Sequence, residues 1–408
     1  MTTFEYNARN LPIRRIDHGG RTGTPGAYSY DAAKTETYAY DAAGRMTTRI
    51  DRMGTETVWT YDARGHVLTE IVGNDAVGRT WDGNGNLLTL TDATGTTTST
   101  YDAMNRLLTK QDPLVGTLSY VYDRITSLPA GHVGERMTDA AGHITDTVYD
   151  RMGRISQVVS GTDSATYTYT DTGLRESLVY GSGVREDYTY TVDGLLESLI
   201  NRKGDGTVID SYAYTYDAAH NQTAKTDGKG TTAYTYDNLN RLLTVSETNG
   251  RTTAYTFDAA GNRLTETVTH GSTTTAKTST LNEHNRLTRL ETRVNGTLTE
   301  TRLYDWDAAG NLLTTTTNGT LVQENAYDVR NQLTTTTSGG IRLDSAYNGE
   351  GLRVSKRTGG PNGPVERFQL DGDRVVLETD GSGNTLAANV YGTNLLFRTS
   401  GSDTYTYL

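Results

Sequence analysis

Carboxylates and histidines are the side chains in this sequence that could perform acid–base or metal chemistry. The 408 residues include 49 Asp and Glu. Two carboxylates in one cleft could hydrolyse a glycosidic bond, and paired histidines could bind zinc. Most aspartates, however, occupy one repeated position, which argues against a unique catalytic pair, and no His-Glu-x-x-His motif occurs. We therefore predict no enzyme and no metal site. The seven histidines are His18, His66, His132, His143, His220, His270 and His284.

Two short segments superficially resemble ligand-binding loops. Asp82 to Asn86 (DGNGN) begins like a calcium loop, but Leu87 stands where such a loop needs its glycine. Gly359 to Pro364 (GGPNGP) lacks the Lys-Ser pair of a phosphate loop. We predict a turn at the first place, a loop at the second, and no cofactor.

Composition restricts the partners and the packing. The formal net charge is 38 − 49 = −11, which disfavours binding to nucleic acid or to anionic lipid. The chain has no Cys, so it has no disulfide and no thiolate zinc site. Only 34% of the residues are hydrophobic, with 27 Tyr but 4 Phe, so we expect thin, tyrosine-rich packing. Met1 to Arg15 lacks the features of a signal peptide, and no apolar run is long enough to span a membrane.

The aspartates belong to a repeat of about twenty residues. An aromatic residue is followed by Asp, and Gly or Asn stands four residues after the aromatic. From Tyr40 to Tyr122 the spacings are 21, 20, 20 and 21 residues, which is typical of a repeat architecture. The predicted turn residues are Tyr40, Asp41 and Gly44; Tyr61, Asp62 and Gly65; Trp81, Asp82 and Gly85; Tyr101, Asp102 and Asn105; Tyr149, Asp150 and Gly153; Tyr236, Asp237 and Asn240; Phe257, Asp258 and Gly261; Trp306, Asp307 and Gly310; and Tyr327, Asp328 and Asn331.

Each repeat predicts a β-hairpin. Gly and Asn tolerate positive φ most readily, and an Asp side chain can accept backbone N–H groups, so Asp-x-x-Gly predicts a tight turn. The Thr- and Tyr-rich runs between turns are typical of strands, and a second turn such as Asp92 to Gly95 closes the unit. Hairpins placed side by side would form a long antiparallel sheet with an aromatic row on one face. Because strands twist, we expect an all-β sheet that coils into a spiral.

The repeated Tyr-Asp-x-x-Gly-Arg/Asn-Leu unit resembles the YD repeats of the bacterial RHS family, which also occur in toxin-complex C components and in teneurins. The resemblance extends from about Tyr6 to Tyr407. It implies a hollow β-shell, or cocoon, that encloses a C-terminal toxic domain of a secreted or cell-surface protein. The implied partners are that toxin domain and the rest of the RHS core.

The C-terminal residues resemble the last repeats before the family's core segment. We divide the chain into a repeat array, 1–346, and the last repeats, 347–408. The core, its self-cleaving aspartate and the variable toxin are expected to lie beyond Leu408. Asp112-Pro113 lies far upstream of the expected cleavage site and is interpreted as a loop. The chain is therefore expected to be a shell segment rather than a complete effector.

The aromatic row allows a second hypothesis. Rings exposed at regular spacing, such as Trp59, Tyr61, Trp81 and Tyr101, could stack on sugars, as in a cell-surface adhesin that binds a glycan or a receptor. Alternatively, these rings pack against neighbouring repeats, which a chain so poor in Phe requires. Packing is the preferred interpretation.

Overall fold

The computed structural model describes residues 2–17, 21–24, 27–30, 34–122 and 131–408. His18 lies outside these residues. The described part of the chain contains no helix and 39 strands. The strands are β1 (Thr2–Tyr6), β2 (Pro12–Asp17), β3 (Arg21–Thr24), β4 (Ala27–Tyr30), β5 (Lys34–Tyr40), β6 (Met46–Ile50), β7 (Glu56–Tyr61), β8 (Val67–Val72), β9 (Asp75–Trp81), β10 (Leu87–Asp92), β11 (Gly95–Tyr101), β12 (Leu107–Asp112), β13 (Gly116–Tyr122), β14 (Val133–Thr138), β15 (Ile144–Tyr149), β16 (Ile155–Ser160), β17 (Asp163–Tyr169), β18 (Arg175–Tyr180), β19 (Arg185–Tyr190), β20 (Leu196–Arg202), β21 (Val208–Tyr216), β22 (Gln222–Asp227), β23 (Gly230–Tyr236), β24 (Leu242–Glu247), β25 (Thr252–Phe257), β26 (Arg263–His270), β27 (Thr273–Leu281), β28 (Leu287–Val294), β29 (Thr297–Trp306), β30 (Leu312–Thr317), β31 (Thr320–Tyr327), β32 (Leu333–Ser338), β33 (Ile341–Tyr347), β34 (Arg353–Thr358), β35 (Val365–Asp371), β36 (Arg374–Asp380), β37 (Thr385–Tyr391), β38 (Leu395–Ser400) and β39 (Asp403–Thr406).

Most strands pair with their neighbours in the chain. Thirty-seven of the described strands belong to one sheet, and β3 and β4 form a separate pair. The sheet is a run of hairpins; β7 pairs antiparallel with β8, for example, and β8 with β9. Near the start of the chain, β2 pairs with β5. The sheet is not closed. The predicted all-β class of tandem hairpins is therefore confirmed.

A β-bulge lies beside the repeated aromatic. Thr60 faces Thr69 across the β7–β8 ladder, but the next residue, Tyr61, faces Val67, so Leu68 is left as the extra residue. The same shift recurs at Tyr101, opposite Leu107. Because a bulge increases the local right-handed twist, these recurring bulges help the sheet to coil.

The strands gather into two compact units. Unit 1 contains Met1–Ser119, Leu281–Arg289 and Arg302–Asn384; unit 2 contains Tyr120–Thr280, Leu290–Thr301 and Thr385–Leu408. The predicted division at residue 346 concerns the repeat pattern and stays a prediction.

Each unit brings strands together that are far apart in sequence. In unit 1, the Gln369 side chain donates to the carbonyl of Gly116 at 3.2 Å. In unit 2, the rings of Tyr180 and Phe397 meet edge to face, with centroids 5.7 Å apart. Such contacts show that the sheet coils back on itself within each unit, as expected for a spiral of hairpins.

Candidate functional site: the repeat turns

The repeated aspartate is the centre of each turn. In the turn of Asp62, Oδ1 accepts the backbone N–H groups of Arg64 and His66 at 2.8 and 2.9 Å. Its Oδ2 lies 2.9 Å from Nδ1 of His66, and its carbonyl accepts the N–H of Gly65 at 3.2 Å. The side chain and the carbonyl of Asp62 together accept three backbone N–H groups of the turn. Every other aspartate among the predicted turn residues likewise accepts two backbone N–H groups of its own turn: Asp41, Asp82, Asp102, Asp150, Asp237, Asp258, Asp307 and Asp328.

In the predicted turns, the residue four positions after the aromatic has a positive φ. A side chain with a Cβ is strained in this region, and Gly and Asn are strained least. His220, which replaces Gly or Asn in one repeat, also adopts it, with φ 66°. The φ values are 85° at Gly44, 97° at Gly65, 89° at Gly85, 75° at Gly153, 89° at Gly261, 105° at Gly310, 63° at Asn105, 60° at Asn240 and 62° at Asn331.

Hydrogen bonds lower the pKa of the turn carboxylates. The side-chain hydrogen bond from His66, helped by backbone N–H groups, holds the pKa of Asp62 at about 2. The Asn86 side chain lowers the pKa of Asp82 in the same way, and the backbone N–H of Arg106 lowers that of Asp102. These bonds form only in the folded turn, so folding favours the ionised carboxylates.

Acid should therefore destabilise the repeats. A carboxyl group whose folded pKa lies below its unfolded value stabilises the fold above the unfolded pKa, and this contribution is lost as the pH falls through the folded pKa. We expect the melting temperature to fall as the pH drops from about 5 to about 2. The Asp62→Asn variant should be less stable at pH 7 and should lose less than wild type over this range, because Asn cannot be protonated. Thermal melts at half-unit pH steps would measure this, and a melting temperature constant down to pH 2 would contradict it.

The aromatic side chains join one repeat to the preceding one. Tyr61 donates its hydroxyl to the carbonyl of Met46 at 2.6 Å, and Trp81 donates its indole N–H to the carbonyl of Val67 at 2.9 Å. Each acceptor follows the preceding turn, beside the bulge. The same bond is made by Tyr40, Tyr101, Tyr236, Trp306 and Tyr327. Sequence reasoning missed this bond, although one signal was present: Tyr and Trp both carry a donor at the far end of the ring.

Two repeat positions depart from this pattern. Tyr149 donates to the carboxylate of Glu135 at 2.7 Å. Phe257 has no donor, and the Arg241 guanidinium lies 4.9 Å from its ring centroid.

Removing the ring hydroxyl at this position should destabilise the fold, and adding one where it is missing should not. Tyr61→Phe should lower the free energy of unfolding by about 0.5–1.5 kcal/mol, because it removes the bond to Met46. Phe257→Tyr should be neutral or stabilising, because the carbonyl of Leu242 occupies the corresponding place in the preceding repeat. Urea denaturation of the two variants would test this pair. A Tyr61→Phe variant as stable as wild type, or a destabilised Phe257→Tyr variant, would contradict the role of the hydroxyl.

The residue after the left-handed position links neighbouring turns. Arg45 Nε lies 2.7 Å from the Asp41 carboxylate, and Arg45 also donates to the carbonyl of Asp62 at 2.8 Å. The same guanidinium lies 4.8 Å from the ring centroid of Tyr61. In another repeat, Asn86 donates to the side chain of Asn105 at 2.9 Å. In these described repeats, neighbouring turns therefore form a bonded edge, and their polar groups are used within it.

Of the two segments that resembled ligand loops, the first is a repeat turn and the second is a loop held by backbone hydrogen bonds. Asp82 accepts from Asn84 and Asn86, so both of its oxygens are engaged by donors of its own turn. In the second segment the N–H of Gly363 donates to the carbonyl of Gly360 at 3.0 Å. Asp112 ends β12, and its carboxylate accepts the N–H of Leu114. Among the described residues, no group of three His, Asp or Glu side chains is placed to hold a metal ion.

Comparisons with known proteins point to the same repeat. The family model RHS Repeat matches residues 40–77, 81–114, 216–251 and 236–275. No curated protein matches the sequence significantly. In the described part of the chain, no helix has the length and apolar character needed to cross a membrane.

Several solved structures are similar at low identity. A crystal structure of TcdB2-TccC3-Cdc42 is 16% identical with a TM-score of 0.37, covering 96% of this chain and 28% of that one. A Tc holotoxin pore of Photorhabdus luminescens is 16% identical with a TM-score of 0.38, covering 98% of this chain and 28% of that one. A porin-like protein from Bacteroides uniformis is 12% identical with a TM-score of 0.14, covering 65% and 94%. The chain spans little more than a quarter of the two Tc chains.

Proposed function

We propose, on the premise that this chain belongs to the RHS/YD-repeat family, that it forms part of the wall of a protein shell. The observation that carries this proposal is the bonded edge of turns and aromatics. Asp62 holds its own turn, and Tyr61 bonds to the preceding repeat. A chain whose repeated polar groups bond mainly to each other is suited to a structural role.

The same observation disfavours an enzyme. A general acid or base must reach its substrate with a free proton site. The turn carboxylates instead accept backbone donors, and hydrogen bonds lower the pKa of many of them, as at Asp62 and Asp102. We therefore propose that the chain has no catalytic activity of its own and needs no cofactor.

The content of the shell is the finer part of the proposal. We infer that the full-length protein continues into an RHS core and a C-terminal toxic effector, and that the wall keeps this effector enclosed during export. The role in competition between bacteria rests on the family resemblance.

The adhesin hypothesis is less well supported by the geometry. Tyr61 and Trp81 are half-buried, and each uses its polar atom inside the sheet. A ring that binds sugar by stacking needs a free face, but His66 stacks on Trp81 with ring centroids 5.1 Å apart. On a glycan array, the wild-type chain and Trp81→Ala should give the same signal; a signal lost only in the variant would favour the adhesin.

Protease protection in the full-length gene product tests the shell. We expect the polypeptide that follows the repeats to be cleaved much more slowly in the intact protein than when it is produced alone. Mass spectrometry of a digestion time course would identify the cleaved bonds, and cleavage of an added flexible tag would control for protease activity. Equal cleavage in both settings would contradict the enclosing wall.

A further inference from the structure

Two turns of unit 1 meet although they are about 250 residues apart in sequence. Arg330 lies in the turn between β31 and β32, and Glu70 and Asp75 lie on β8 and β9. Arg330 NH1 is 2.6 Å from Glu70 Oε1, and Arg330 Nε also contacts Asp75 Oδ2. The Arg330 side chain is only 13% exposed. Val329 packs near Gly73, with 3.6 Å between its methyl carbon and the Cβ position of the glycine.

A second set of contacts lies next to the first, and we call the two sets together the seam. The backbone N–H of Gly349 donates to Asp92 Oδ2 at 2.5 Å, and Arg79 donates to the carbonyl of Gly349 at 3.3 Å. A Cβ on Gly349 would lie 2.7 Å from a methyl carbon of Val77, so only glycine fits here. Arg79 also lies 3.7 Å from Glu70, which joins the two sets of contacts.

Arg330 and Arg64 occupy the same position of the repeat but make different contacts. Arg64 also lies three residues after the repeated aromatic, but it is exposed and donates to the carbonyl of Gly83 in the neighbouring turn. Arg330 instead turns towards a distant part of the chain. The two arginines therefore form a matched pair that differs in the seam contact.

Two buried hydrogen-bond donors of the seam lack an acceptor in the described part of the chain. Arg330 NH2 and Arg79 NH1 are buried and have no hydrogen-bond partner among the described residues. Unpaired buried donors cost free energy and offset the gain from the ion pairs. These ion pairs therefore fix the position of the two turns but contribute little to the free energy of unfolding. A contact of this kind can open and close at low cost.

A cavity lies beside the seam. Its volume is about 720 Å³, and Asp75, Asp92, Arg330, Tyr327 and Tyr347 are among its lining residues. Arg330 thus contacts the seam and lines the cavity at the same time. Separation of the two turns would widen the entrance to this space.

We propose that Arg330, Glu70, Asp75, Arg79 and Asp92 form a charge latch, which closes unit 1 along this seam and opens as one cooperative unit. Opening separates the β8–β11 turns from the turns that carry Arg330 and Gly349 while every hairpin stays folded. The latch gates access to the cavity.

Hydrogen exchange at Gly349 tests the latch, because this amide is bonded across the seam to Asp92. In Arg330→Gln the Gly349 amide should exchange about tenfold faster than in wild type, although Arg330 does not touch it, because the seam opens as a unit. Peptide mass spectrometry over residues 345–352 would measure the change. Arg64→Gln is the matched control and should leave this exchange unchanged.

Three outcomes would overturn the proposal. Unchanged exchange at Gly349 in Arg330→Gln would show that the two contacts open independently. Equal acceleration in Arg64→Gln would show a general effect of losing a turn arginine. Loss of the whole fold in Arg330→Gln would also contradict a latch, because a latch opens without unfolding the sheet. Arg330→Lys, which keeps the charge, should lie between wild type and Arg330→Gln.

Discussion

Leu396→Ala should lower the free energy of unfolding by about 2–5 kcal/mol. Leu396 is 1% exposed and belongs to the buried cluster of unit 2, with Val158, Tyr167 and Phe397. The substitution removes apolar contacts and leaves a cavity that a stiff sheet cannot fully close. Because the chain is poor in large apolar residues, few other side chains can compensate.

Urea denaturation would measure this loss against a matched control. Leu386 lies on the preceding strand and is 37% exposed. Leu386→Ala should cost less than about 1 kcal/mol, since much of its side chain is already in water. Similar losses in the two variants would mean that the Leu396 cluster is not the core of unit 2.

Gly85→Val should lower the free energy of unfolding by about 1–3 kcal/mol. Gly85 has φ +89°, a conformation that is strained for a β-branched residue. The added Cβ would also lie 3.1 Å from Nε2 of His66, whose ring stacks on Trp81. The substitution thus disturbs both the turn and its link to the neighbouring repeat.

Gly83 provides a control in the same turn. It has no positive φ in the left-handed region, and a Cβ there would have no neighbour within 4 Å. Gly83→Val should therefore change the melting temperature little. If Gly83→Val and Gly85→Val shifted the melting temperature equally, the left-handed residue would not be what Gly85 provides.

The hairpin array could be predicted from sequence because its signals are local. Asp82 and Gly85 are three residues apart, and turn chemistry at this distance depends little on the rest of the chain. A strand run such as Thr96 to Tyr101 is recognised in the same way. Once hairpins repeat every twenty residues, an open antiparallel sheet follows.

The contacts between distant turns could not be predicted in this way. Whether Arg330 meets Glu70 depends on the twist accumulated over more than 250 residues, to which the recurring bulges contribute. Arg64 and Arg330 occupy the same repeat position, yet only Arg330 lies in the seam. The bond from Tyr61 to Met46 was also missed, because the period shows that an aromatic is needed but not where its hydroxyl points.

A cryo-EM map of the full-length gene product, at a resolution that traces strands, would show directly whether the hairpins form a shell wall. We expect the described hairpins of residues 34–122 and 131–408 to form part of a wall around an internal space, with density for the downstream polypeptide inside it. A map in which these hairpins form an open strip, with the downstream polypeptide outside, would contradict it.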